Sequence, residues 1–116
     1  MLNTPPVFAV YVCLLTLRWL KKSGGVAAIE KLNQEKAGLL YDTLDASKLF
    51  IPTVAKEDRS LMNVVFVIKD PEKEKAFLQL CNQEGMIGVK GHRSVGGFRV
   101  SLYNAMPLES VKQLTA

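Results

Sequence analysis

The chain has 116 residues, of which 48% are hydrophobic and 22% charged; this is typical of one soluble globular domain and small for a complete enzyme. Its net charge of +4 is spread along the chain, whereas nucleic-acid binding favours a dense basic stripe with aromatic platforms. Two distant cysteines, Cys13 and Cys81, and the single histidine His92 are a poor set for a zinc site. They predict two reduced, buried thiols in a cytoplasmic protein without a metal.

The opening LNTPP predicts the start of a first helix, which runs from Pro5 to about Lys22. Thr4 is a favoured N-cap residue and Pro5 suits the first helical position. Gly24 and Gly25 predict its end.

This first helix is apolar on most faces, VFAVYVCLLTLRWL, which raises the question of a membrane segment. The run is shorter than the roughly 20 residues of a membrane span, and Arg18 interrupts it. Its positive charges follow the apolar residues, whereas those of a signal peptide precede them. We predict a buried helix of a soluble protein, with Tyr11 and Trp19 in the core.

A second helix is predicted from Val26 to Leu44, with an apolar stripe of Ile29, Leu32 and Leu40. Its predicted polar face comprises Glu30, Lys31, Gln34, Glu35 and Lys36. A loop with a short strand near residues 49–51 follows.

The β-branched and aromatic run MNVVFVI, residues 62–68, predicts a central strand covered on both faces. Asp70 and Pro71 predict the cap and first position of a third helix, which Gly85 ends. MIGVK predicts a short strand. Gly97 to Tyr103 is expected to form another, with three polar residues on one face: Arg99, Ser101 and Tyr103.

Pro107 begins the last predicted helix, whose apolar stripe contains Leu108, Val111 and Leu114. The order helix, helix, strand, helix, strand, strand, helix predicts an α+β fold. We expect a small, mostly antiparallel sheet with helices packed on one face.

The stretch KGHRSVGGFR, Lys90 to Arg99, concentrates positive charge without an acidic residue. Its glycines allow a concave backbone, and arginine grips carboxylate or phosphate with two parallel hydrogen bonds. The stretch therefore indicates a binding loop for a small polyanion. A solvated basic turn between two strands is the alternative.

Three stretches together resemble the phosphoserine aminotransferases, class V enzymes of the fold type I pyridoxal-phosphate group. They are NTPP, KEDRSLMNV and KGHRSVGGFRVSLYNAMPLESV. The resemblance implies that residues 1–116 form a single domain, the small C-terminal domain of such an enzyme. Residues 1–23 would lead in from the large domain. Within KEDRSLMNV, Arg59 and Asn63 are expected to serve loop anchoring and strand entry.

The resemblance also implies site residues. Arg99 would bind the substrate α-carboxylate, and His92 with Arg93 would bind the phosphate of phosphoserine or the distal carboxylate of glutamate. Asn3 and Thr4 would contact the phosphate of pyridoxal 5′-phosphate across a homodimer interface. The implied reaction transfers an amino group from glutamate to 3-phosphohydroxypyruvate, a step of serine biosynthesis.

No lysine of this chain matches the Schiff-base context of that family, so no catalytic residue is assigned. Met1 in front of an internal-looking LNTPP suggests a piece of a longer protein. We expect the chain alone to be inactive, without bound cofactor, and to self-associate through its apolar first helix. The alternative is a free-standing α+β module that binds an anionic metabolite or a partner protein without catalysis.

Overall fold

The computed structural model describes residues 3–116. The chain divides into two compact units, one extending to Leu32 and the other comprising Asn33–Ala116. The description of residues 1–116 as a single domain stays a prediction. None of the helices within residues 3–116 is long and apolar enough to cross a membrane.

The first unit contains helix α1, Val7–Lys22. The predicted cap is wrong: Pro6 occupies the N-cap position and no side chain caps the helix. The Val7 amide donates to the Pro5 carbonyl at 2.8 Å, so the Pro5–Pro6 pair forms the entry turn and Thr4 lies before it. The predicted end is confirmed, since Ser23 is the C-cap and Gly24 has a φ of 95°.

Helix α1 contains no buried residue, which contradicts the sequence prediction. Tyr11 is 55% exposed and Trp19 42% exposed, and the Cys13 thiol is also exposed. A helix that is apolar on most faces needs cover from more than one side, and the described residues do not supply it.

Helix α2, Gly25–Ala46, matches its predicted bounds within two residues. Lys36 was assigned to the polar face, and this is wrong because the residue is 0% exposed. Lys36 lies one helical turn before Leu40 and two before Leu44, both of which are buried. The helical period therefore places this lysine on the core side.

The second unit holds a three-stranded antiparallel sheet in the order β1-β2-β3. The strands are β1 (Ile51–Pro52), β2 (Asn63–Val67) and β3 (Phe98–Ser101). The central position of β2 is confirmed, but its cover on both faces is not, because buried and half-buried residues alternate along it. The predicted MIGVK strand is wrong: only Lys90 bridges to the sheet, opposite Phe98, after a turn at Gly88 with a φ of 82°.

Helix α3 (Pro71–Gln83) is capped as predicted, since the Asp70 side chain accepts a hydrogen bond from the Glu72 amide at 3.0 Å. Helix α4 (Leu108–Thr115) has Pro107 at its N-cap and buries Val111. One core cluster joins the buried face of the sheet to residues of α2, α3 and α4. This confirms the predicted α+β arrangement.

Aromatic rings occupy the centre of this core. Phe98 of β3 is 1% exposed and stacks on Phe66 of β2, with ring centroids 5.2 Å apart. Phe77 of α3 meets the Phe98 ring edge-on at 5.0 Å. Because side chains alternate along a strand, burying Phe98 directs the next residue, Arg99, to the opposite face.

Candidate functional site

Residues 89–99 form a closed structure that we call the basic hairpin. The Gly91 amide donates to the Gly97 carbonyl and the Arg99 amide to the Val89 carbonyl, both at 2.8 Å. Arg99 also pairs with Val65 of β2. The predicted anion-binding stretch is therefore attached through Arg99 to the edge of the sheet.

The tip of the basic hairpin is a tight turn that needs its glycines. The His92 carbonyl accepts hydrogen bonds from the amides of Val95 at 2.9 Å and Gly96 at 2.8 Å. Gly96 and Gly97 have φ values of 77° and 62°, which other residues adopt only with strain. The turn therefore exposes His92 and Arg93 on a short, backbone-bonded loop.

The ring of His92 is oriented by Ser94. Its Nδ1 lies 2.7 Å from the Ser94 hydroxyl and accepts a hydrogen bond from the Ser94 amide at 3.3 Å. With Nδ1 accepting, the neutral ring carries its proton on Nε2, which can then donate to an anion. Sequence reasoning did not identify Ser94, although its spacing of two residues from the histidine suits such a local contact.

The two arginines of the basic hairpin are exposed. Among residues 3–116, neither Arg93 nor Arg99 forms a salt bridge, whereas Arg59 pairs with Asp45. The hairpin thus presents two guanidinium groups without a carboxylate partner in the described part of the chain. Such groups are suited to bidentate contacts with carboxylate or phosphate.

A polar network lies on the Arg99 face of β3. The amide oxygen of Asn63 accepts a hydrogen bond from the Ser101 hydroxyl at 3.2 Å, and its nitrogen donates to the Tyr103 hydroxyl at 3.0 Å. Asn63 was expected to serve strand entry, and it is the first residue of β2. Its contacts follow from a strand register that places it opposite Ser101, which the sequence did not predict.

An open groove of about 530 Å³ runs beside β3. Its lining includes Arg99 and Ser101 of β3, together with apolar residues of the turn after α3 and of α4 such as Met86, Ile87 and Leu114. His92 and Arg93 are not among its lining residues. The structure therefore brings the three predicted residues onto one hairpin, while only Arg99 reaches this groove.

Asn3 and Thr4 lie in the first unit, just before α1, and are exposed. Neither side chain makes a hydrogen bond within residues 3–116. A hydroxyl and an amide without hydrogen bonds to the other described residues can donate to the oxygens of a phosphate group. The described residues contain no group of three or more His, Cys, Asp or Glu that could hold a metal ion.

Arg59 anchors the loop that leads into β2, as predicted. Its guanidinium donates two hydrogen bonds to the Asp45 carboxylate, at 2.6 and 2.9 Å, and lies over the Tyr41 ring, 4.5 Å from its centroid. The hydrogen bonds from Arg59 and then Lys56 lower the pKa of Asp45 to about 2. These contacts tie the loop before β2 to helix α2.

The sequence matches the profile of the Aminotransferase class-V family over residues 1–114. It is 58% identical over 118 residues to the phosphoserine aminotransferase of Porphyromonas gingivalis, covering 100% of this chain and 33% of that protein. The enzyme of the same name from Lactobacillus helveticus is 54% identical, over 98% of this chain and 31% of that protein.

Solved structures agree with this match. Phosphoserine aminotransferase from Bacillus circulans subsp. alkalophilus superposes with a TM-score of 0.92 at 43% identity, covering 97% of this chain and 32% of that one. The pyridoxal-phosphate-bound enzyme from Trichomonas vaginalis gives 0.90 at 40% identity, over 99% and 33%. The chain thus spans about a third of the length of the curated relatives that it matches. The chain belongs to the class-V aminotransferase family.

Proposed function

We propose that this chain forms the C-terminal domain of a phosphoserine aminotransferase. The enzyme would transfer an amino group from glutamate to 3-phosphohydroxypyruvate, giving phosphoserine and 2-oxoglutarate. The observation that carries the proposal is the basic hairpin, whose exposed Arg93 and Arg99 have no carboxylate partner within residues 3–116. It sits in a chain that is 58% identical to an enzyme of this name.

Arg99 is proposed to bind the α-carboxylate that glutamate and phosphoserine share. Its position on β3 supports this role, because pairing with Val65 and the bond to Val89 fix its backbone. A planar guanidinium on a rigid strand matches a carboxylate through two parallel hydrogen bonds.

His92 and Arg93 are proposed to bind the distal group, the phosphate of phosphoserine or the side-chain carboxylate of glutamate. The contact of Ser94 with Nδ1 supports a donor role for His92, since it leaves the Nε2 proton available. His92 and Arg93 lie in the turn of the basic hairpin, and Arg99 lies on the strand that follows it. This separation suits a substrate with an anionic group at each end.

Asn3 and Thr4 are proposed to bind the phosphate of pyridoxal 5′-phosphate in the neighbouring subunit of a homodimer. Their exposed side chains, free of hydrogen bonds within the described residues, support this role. When bound, the cofactor supplies the electron sink for amino-group transfer. The residues of this chain would bind and orient the substrate anions and the cofactor phosphate.

The isolated chain is proposed to bind anions without turnover. None of its lysines is assigned to the Schiff base, and the buried Lys36 is occupied by three backbone carbonyls. Addition of pyridoxal phosphate and glutamate to the isolated chain should convert no more cofactor to the pyridoxamine form than a protein-free control does. Conversion beyond that of the control would contradict this part of the proposal.

The enzymatic assignment is tested on the polypeptide encoded by the reading frame that contains this chain. Purified with pyridoxal phosphate, it should form 2-oxoglutarate from glutamate over many turnovers when 3-phosphohydroxypyruvate is supplied as the acceptor, and no more than one equivalent per site without an acceptor. Hydroxypyruvate, which lacks the phosphate, is the matched control and should react much more slowly. Equal rates with the two acceptors, or no transfer at all, would contradict the proposal and favour a non-catalytic anion-binding module.

A further inference from the structure

Lys36 is the fully buried charged residue of the second unit, with 0% exposure. Its ammonium group donates hydrogen bonds to the carbonyls of Leu102 at 2.9 Å, Tyr103 at 3.0 Å and Met106 at 3.1 Å. An ammonium has three donor hydrogens, so every one of them has a backbone acceptor. Within residues 3–116, no carboxylate forms a salt bridge with it.

The three acceptors all belong to residues 102–106, the segment that joins β3 to α4. Carbonyl groups that converge on one point repel one another and need a donor between them. A second tie reaches the same segment, since the Asn33 side chain donates to the Asn104 side chain at 2.8 Å. Helix α2 thus contacts this segment through four hydrogen bonds, three of them from Lys36.

The segment directly follows the anion-binding face of β3. The Leu102 amide donates to the Met62 carbonyl at 2.7 Å, which continues the alignment of β3 with the residues before β2. Tyr103, whose carbonyl accepts from Lys36, also reaches Asn63 through its side chain at 3.0 Å. Lys36 thus acts on the backbone at the C-terminal end of the strand that carries Arg99.

We propose that Lys36 is a positioning residue for the anion-binding face, holding residues 102–106 so that Arg99, Ser101 and Tyr103 keep their alignment. This deepens the proposed function and rests on it for its kinetic consequence. A buried cation is costly, and burial lowers the pKa of Lys36. The three carbonyl dipoles stabilise the charged form and so oppose the lowering of the pKa.

The first test uses the wild-type chain and does not depend on enzymatic activity. In nuclear magnetic resonance spectra near neutral pH, the ammonium protons of Lys36 should exchange slowly with water and show couplings to the carbonyl carbons of Leu102, Tyr103 and Met106. Fast exchange, as at the exposed Lys31, would overturn the proposal.

The second test compares Lys36→Met with Lys31→Met, an exposed control on the same helix. In Lys36→Met, the amides of Leu102 and Met106 should exchange about tenfold faster than the loss of global stability accounts for. The amide of Cys81, the buried residue of α3, reports that global loss. An equal increase in exchange rate at all these amides would show that Lys36 only stabilises the fold as a whole, and this would contradict the proposal.

The third test measures kinetics in the full polypeptide that contains this chain. Lys36→Met should raise KM for glutamate and phosphoserine about tenfold and lower kcat less, because it misaligns binding groups. Lys36→Arg, which keeps the charge, should recover part of the loss, and Lys31→Met should behave as wild type. An unchanged KM in Lys36→Met would overturn the proposal. An inactive wild type would refute the proposed function instead, and the first two tests would still decide the role of Lys36.

Discussion

Two adjacent glycines of the basic hairpin offer a sharp test of how its shape is held. Gly96 and Gly97 both have positive φ, 77° and 62°. A Cβ added at Gly96 would meet nothing within 4 Å, whereas one at Gly97 would lie 2.8 Å from the Phe66 carbonyl oxygen and 2.8 Å from Val67 Cγ1. The two alanine variants therefore share the backbone strain and differ in the collision with β2.

The magnitudes follow from these two terms. A positive φ costs an alanine about 1 to 2 kcal/mol, which is the whole expected loss for Gly96→Ala. Gly97→Ala carries a second cost, because the added Cβ must push the hairpin away from the backbone of β2. This cost should resemble that of overpacking a core, about 1 to 3 kcal/mol. We expect Gly97→Ala to be the less stable variant by this second amount.

The assay is urea denaturation of the two variants and the wild type, monitored by circular dichroism. The free energies of unfolding are compared if the three proteins have the same m-value. Gly97→Ala should also weaken phosphate or phosphoserine binding more than Gly96→Ala, because Arg99 lies two residues from the collision. Equal losses of stability in the two variants would refute the argument that Gly97 is required by its contact with β2.

Other predictions concern the site, the scaffold and assembly. In the full polypeptide, Arg99→Ala should raise KM for glutamate and phosphoserine alike, and an effect on one substrate only would contradict an α-carboxylate role. Arg93→Ala should impair phosphoserine at least as much as glutamate in the same steady-state assay. Because Arg59 holds the pKa of Asp45 at about 2 instead of 3.8, the stability advantage over Asp45→Asn should be full above about pH 4 and disappear as the pH falls towards 2, as measured by urea denaturation. The exposed apolar surface of α1 should make the isolated chain self-associate, and light scattering that reports a 12.8 kDa monomer at high concentration would contradict this.

The sequence predicted the elements whose signals are local. Asp70 with Pro71 marked the start of α3, and the alternation of Phe98 and Arg99 placed their side chains on opposite faces of β3. The basic stretch stood out because basic side chains and glycines cluster within ten positions, and the family resemblance then assigned predicted roles to His92, Arg93 and Arg99.

The errors have a common origin in contacts between distant residues. Lysine is a residue type that usually lies at the surface. The burial of Lys36 is explained by the carbonyls that converge on it from residues 102–106, at least 66 positions away. The Asn63 network likewise depends on the register of β2 against β3. Tyr11 and Trp19 were placed in the core by hydrophobicity alone, and periodicity does not reveal whether a covering surface is present.

The basic hairpin is proposed to bind the two anionic ends of one substrate. A crystal structure of the full polypeptide with phosphoserine tests this most directly. We expect the Arg99 guanidinium on the α-carboxylate and His92 with Arg93 on the phosphate. Phosphoserine bound away from the hairpin, or in the reversed orientation with its phosphate on Arg99, would contradict the account.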